Sequence, residues 1–163
     1  MNNQLSKPKV YLVTGATGFL GNRIVKMLLE EGKKVRVFVR QDYLDDRVEV
    51  VKGDLTDSDS IRRAINGVDV VFHTASFISW NPNDTEKLDQ INIKANKIII
   101  DACLEYKVSK LIYTSSIDAI MKVNRLKMEM NLYLILPSLL IIIPIRKLLR
   151  NRISYPQIIQ MVY

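Results

Sequence analysis

Apolar and polar positions fall into alternating blocks along the first two thirds of this chain. Short β-prone runs at 9–13, 35–40, 48–52, 69–73 and 110–114 are dominated by Val, Ile, Leu, Phe and Tyr. Segments at 19–31, 58–66 and 86–106 read as helices instead; in the first, Phe19, Ile24, Met27 and Leu28 fit one stripe. Gly32 closes that segment as a C-cap, and Asp57 or Ser58 stands where the second needs an N-cap. Apolar strands alternating with helices predict an α/β fold with a parallel, doubly wound sheet and right-handed crossovers. Five strands in the order 3-2-1-4-5 are expected, with a ligand crevice over the carboxyl ends at the switch between strands 1 and 4.

The first strand–helix junction carries the most informative chemistry. Val10-Tyr11-Leu12-Val13-Thr14 runs into Gly15, Gly18 and Gly21, spaced G-x-x-G-x-x-G. Gly15 allows a tight turn, Gly18 lets phosphates approach the backbone, and Gly21 lets the helix lie close to the sheet. Free N–H groups and the helix dipole make this junction an anion site, which predicts a Rossmann-type fold that holds a dinucleotide pyrophosphate.

The stretch Thr14-Gly15-Ala16-Thr17-Gly18-Phe19-Leu20-Gly21 resembles the extended short-chain dehydrogenase/reductase family. That family includes NAD(P)-dependent epimerases and dehydratases, dihydroflavonol reductases and 3β-hydroxysteroid dehydrogenases. The resemblance continues at Gly53-Asp54-Leu55-Thr56-Asp57, at 69–76, at Asn92, and at Lys110-Leu111-Ile112-Tyr113-Thr114-Ser115-Ser116. It covers about residues 8–119. It implies an oxidoreductase or epimerase acting on a small carbonyl or hydroxyl substrate. Cofactor contacts are implied at Gly15, Thr17, Gly18, Phe19, Leu20 and Gly21, at Asp54 and Leu55 beside the adenine, and at Thr74, Ala75 and Ser76 beside the cofactor's middle.

Arg40, 19 residues after Gly21, ends the second strand, where a basic residue accommodates the 2′-phosphate of NADP. The expected cofactor is therefore NADP; Asp42, two residues on, keeps NAD open. The family's hydride transfer uses a Ser-Tyr-Lys set. The tyrosine exchanges a proton with the substrate oxygen, the lysine lowers the tyrosine's pKa, and the serine bonds the same oxygen. Ser116 fits the serine, with Ser115 as second choice. A Tyr-x-x-x-Lys on a later helix, the spacing that puts both on one face, is missing after Ser116. Tyr106-Lys107-Val108-Ser109-Lys110 has the spacing but precedes the serine strand, so it reads as a decoy. The expected protein binds cofactor but lacks turnover by itself. His73, the lone histidine, reads as a packing or hydrogen-bonding residue rather than a base.

Composition separates the chain at 119/120 into a dinucleotide-binding domain, 1–119, and a tail, 120–163. The whole chain carries a net charge of +7. The first part holds 17 basic and 16 acidic residues, net +1; the tail holds 7 basic residues and Glu129, net +6. The basic balance belongs to the tail and gives the folded part no case for nucleic-acid binding. The tail also lacks Gly, Ala and Asp, as a foreign sequence replacing the family's continuation would. Its apolar run 132–145 is interrupted by Pro137 and Pro144 and falls short of the ~20 residues of a membrane helix. Membrane-surface or partner binding through the tail is the alternative function; packing on the open edge of the sheet is another role for it. A polar start and the single Cys103, read as a small buried residue, predict a reducing, cytoplasmic setting.

Overall fold

The computed structural model describes residues 7–114 and 140–143. Its strands are β1 (Val10–Thr14), β2 (Lys34–Val39), β3 (Glu49–Lys52), β4 (Val70–His73), β5 (Lys110–Thr114) and β6 (Leu140–Ile143). Its helices are α1 (Phe19–Glu30), α2 (Ser58–Ile65), α3 (Thr85–Asp89) and α4 (Ala95–Glu105), with a π-helical turn at Gln90–Lys94 between the last two. The sheet runs β3-β2-β1-β4-β5-β6. The five parallel strands stand in the expected order. β1 is central, with Leu12 beside Arg36 of β2 and Val71 of β4.

β6 adds what the block pattern did not place. Four residues of the expected tail pair antiparallel with β5, Leu140 opposite Thr114 and Ile143 opposite Leu111. Of the readings of the tail, edge packing is the one these residues bear on: the β5 edge meets a backbone partner. The rest of the apolar run lies outside the described residues. Among the described residues, no helix is long and apolar enough to cross a membrane.

Side-chain alternation along the strands builds two apolar layers. Val10 and Leu12 of β1 join α2, α4, Val71 and Leu111 in a cluster of 15 buried residues. Val13 joins α1 and the valines of β2 in a cluster of 8 on the other face. Cys103 is fully buried in the larger cluster, and burial pushes its thiol pKa up, as fits a small apolar filler.

The α1 stripe differs from the expected one. Gly21, Val25 and Leu28 face the sheet, whereas Phe19 is 98% exposed and Met27 48%. The reason is steric: Gly21 alone can sit where the helix nears the sheet, so the stripe must pass through it, and Phe19 turns outward. Gly32 adopts φ +66° after α1, the left-handed cap expected of it. Asp57 caps α2 by accepting from the Asp59 N–H at 3.0 Å. At the other end of α2, Arg36 donates to the carbonyls of Ala64 and Asn66 and pairs with Glu49.

Leu12 has no exposed surface and Leu44 is entirely exposed. Leu12→Ala is expected to cost ~2–5 kcal/mol in urea unfolding, and Leu44→Ala less than ~0.5 kcal/mol.

Candidate dinucleotide site

The carboxyl ends of β1, β2, β3 and β4 all open into one cleft of about 280 Å³. Gly15, Thr17 and Gly18 form one wall; Arg40, Asp54 and Leu55 another; Thr74, Ala75 and Ser76 a third. Nine of the sequence-predicted cofactor residues thus converge. Phe19, Leu20 and Gly21 do not line the cleft but form the first turn of α1 directly behind it. Ser115 and Ser116 lie outside the described residues. The Tyr106–Lys110 match sits at the opposite end of the sheet, where α4 ends and β5 begins.

The glycine turn is built on close approach. Gly15 has φ +68°, and Gly18 N–H donates to its carbonyl at 2.9 Å. A Cβ at Gly21 would collide with that same carbonyl and come within 2.9 Å of Thr74 Oγ1. α1 starts with Gly18 as its N-cap, without a side-chain cap and without an acid in its first turn. α2, by contrast, has both, in Asp57 and Asp59. The first N–H groups of α1 therefore keep their positive end toward the cleft with no carboxylate in their own turn to quench it.

A buried polar chain holds the β1 and β4 ends together. Thr14 Oγ1 and His73 Nδ1 lie 2.6 Å apart, and His73 Nε2 is 2.6 Å from Asn96 Oδ1. The Asn96 amide N–H groups donate to the Asn92 carbonyl and the Tyr113 hydroxyl, so its oxygen must face His73. An amide oxygen only accepts, so Nε2 carries the proton and Nδ1 accepts from Thr14. Thr74 Oγ1 then donates to the Thr14 carbonyl at 2.7 Å. His73 is a buried structural hydrogen-bonder, as expected of it. Burial pushes its pKa down to about 4, against the smaller upward pull of Asn96.

Charges at the cleft mouth divide unevenly. The Thr56 N–H on Asp54 holds that carboxyl below its ordinary value, with the Thr56 hydroxyl, Arg40 and Lys87 pulling the same way. Asp42 pairs with Lys52. Arg40 is exposed and forms no ion pair among the described residues. Sequence reasoning missed Phe38, Val39, Gly53, Phe77 and Ile91 as lining residues. Phe38 and Gly53 sit at strand ends and were recoverable from position. Ile91 was not, because a π turn sets its direction.

The model of the 3-beta hydroxysteroid dehydrogenase/isomerase family matches residues 12–131. The chain belongs to that family. The match runs past the compositional break at 119/120. The chain is 40% identical over 114 residues to sterol demethylase protein B of Methylococcus capsulatus, covering 67% of this chain and 35% of that protein. It is 38% identical over 121 residues to the decarboxylating sterol-4-alpha-carboxylate 3-dehydrogenase of Mus musculus, covering 74% and 33%. It is also similar to a short-chain dehydrogenase/reductase superfamily protein from Agrobacterium tumefaciens solved with bound NAD. There the TM-score is 0.62 and identity 32%, over 66% of this chain and 32% of that one. The chain spans about a third of the length of the curated relatives it matches.

The His73 pKa sets a pH dependence. An unfolded histidine titrates near ~6.5, above the folded value of about 4, so the unfolded chain binds more protons between the two. Stability is complete above pH ~6.5 and falls as pH drops toward ~4, by roughly 3 kcal/mol in all. Urea midpoints measured from pH 7.5 to 4.5 should show this fall, and His73→Gln should flatten it while lowering stability at pH 7.5.

Proposed function

We propose that this chain holds NAD(P) for a carbonyl–hydroxyl oxidoreductase or epimerase reaction and that it favours NADP. The observation that carries the reading is the uncapped start of α1 behind a glycine turn where a Cβ at Gly15 or Gly21 would collide with backbone. Such a cradle suits a pyrophosphate: the free backbone N–H groups of the first turn, at Phe19, Leu20 and Gly21, donate to its oxygens, and the helix dipole stabilises its charge. The cleft fits the rest of the group. Asp54, kept ionised, accepts from an adenine amino group, and Leu55 offers an apolar face. Thr74, Ala75 and Ser76 are small enough to let the cofactor's middle pass over β4.

When bound, the nicotinamide supplies the hydride. This chain's share of the chemistry is to bind and orient, and Ser116 is the residue proposed to bond a substrate oxygen. No Tyr-x-x-x-Lys follows Ser116 in the sequence. We therefore place proton exchange with the substrate outside these 163 residues, and turnover by them alone is not expected. The preference for NADP rests on Arg40, which forms no ion pair among the described residues, while Asp42 is engaged by Lys52. A guanidinium there would bond a 2′-phosphate, and a tied-up Asp42 is a poorer acceptor for a free 2′-hydroxyl.

Titration with NADPH and NADH, followed by the fluorescence of Trp80 or by calorimetry, tests the reading. NADPH should bind the tighter. Arg40→Ala should weaken NADPH by ~10–100-fold, the scale of a charge-assisted hydrogen bond, and leave NADH within ~2-fold. Failure to bind either cofactor would sink the proposal.

A further inference from the structure

The helix after the β4 loop is continuous from Thr85 to Glu105 but not uniform. Its second half is fixed in register by the core, since Ala95, Ile99, Ile100 and Cys103 are fully or almost fully buried. The π turn at Gln90–Lys94 widens the helix just before that half. Such a turn carries one residue more than an α turn, and everything before it is rotated accordingly. The rotation aims two neighbours at the same target. Ile91 enters the wall of the cleft. Asn92 grips the loop after β4: its Oδ1 accepts from the Phe77 N–H at 2.9 Å, and its Nδ2 donates to the Phe77 carbonyl at 2.7 Å.

One amide thus engages both backbone groups of one loop residue, and that residue lines the cleft. Lys87, one turn earlier in the helix, sits 4.4 Å from the centre of the Phe77 ring. Backbone and ring of Phe77 are both referenced to the helix. π turns are rare, carry poorer geometry, and concentrate where a helix must aim a functional group. We infer that Asn92, set by the π turn, is a positioning residue: it fixes the 74–77 wall at the spacing the middle of the dinucleotide requires. This rests on the cofactor reading above.

The test uses Asn92→Leu, which keeps side-chain volume and removes the clamp, and deletion of Ile93. Ile93 is 56% exposed, so its loss removes no buried group while converting the π turn to an α turn. The deletion swings the residues before it by roughly 100° around the helix axis and leaves Asn96 on His73. Amide hydrogen exchange of the free protein should show Phe77 N–H at least ~10-fold less protected in both variants. Both should bind NADPH ~10-fold more weakly, yet bind adenosine 2′,5′-bisphosphate, which lacks the cofactor's second half, within ~2-fold of the unaltered chain. Equal losses for both probes would mean general loosening and would overturn the inference, as would unchanged exchange and affinity. If the unaltered chain binds no dinucleotide, the cofactor reading falls and takes this one with it; if it binds and the variants bind alike, only the clamp falls. Should Asn92→Leu not fold, Asn92→Asp keeps the acceptor, loses the donor and carries the same comparison.

Discussion

The carbonyl of Gly15 occupies the space where any side chain at position 21 would have to begin, and Thr74 Oγ1 closes the same space from the β4 side. Three elements therefore meet at one point with no atoms between them. That contact fixes how near α1 lies to β1 and β4, and so how far its first N–H groups stand from the cleft. It also fixes which stripe of α1 is buried. Phe19 is thrown outward because Gly21 must face in. Local hydrophobicity would have chosen otherwise, and backbone sterics decide the outcome.

The polar chain from Thr14 through His73 to Asn96 solves a different problem at the same place. Strand ends at a switch point leave buried hydrogen-bonding groups that no helix or ladder satisfies. A neutral imidazole is a suitable bridge, one nitrogen accepting and the other donating, so it links a hydroxyl on β1 to an amide on α4. Burial favours that neutral form. The same histidine in a solvated cleft would titrate near neutrality and serve as a base; here its surroundings assign it to architecture.

Much of this was legible in the sequence. Strand order followed from the alternation of blocks, and nine of the residues that line the cleft were expected from the glycine spacing, the end of strand 2 and the family resemblance, because all of these are carried by the local chain. Gly32 and Asp57 were readable as caps for the same reason. What escaped depended on partners distant in sequence. The π turn has no hydrophobic signature, since it is imposed by the register of the α4 core against a loop 15 residues earlier. The stripe of α1 was misread because helical period alone cannot say that a glycine outranks a phenylalanine at a contact. β6 was not placed as a strand because a short apolar run between prolines is equally compatible with strand, anchor or loop.

The two faces of the sheet are unequally covered among the described residues. α2 and α4 share a cluster of 15, while α1 stands over 8. The glycine turn belongs to the thinner layer. Layers with fewer buried neighbours open at lower free energy than the molecule as a whole, so α1 lifts away more easily than α2 or α4. A dinucleotide laid from the α1 turn across to Asp54 and Thr74 would act on that face as a removable piece of interior. Its occupancy would raise the opening free energy of α1 by RT ln(1 + [L]/Kd) and leave the opposite layer unchanged. On that view the α1 seam and its ligand are one thermodynamic unit, and the amount of free cofactor sets how firmly the seam is closed.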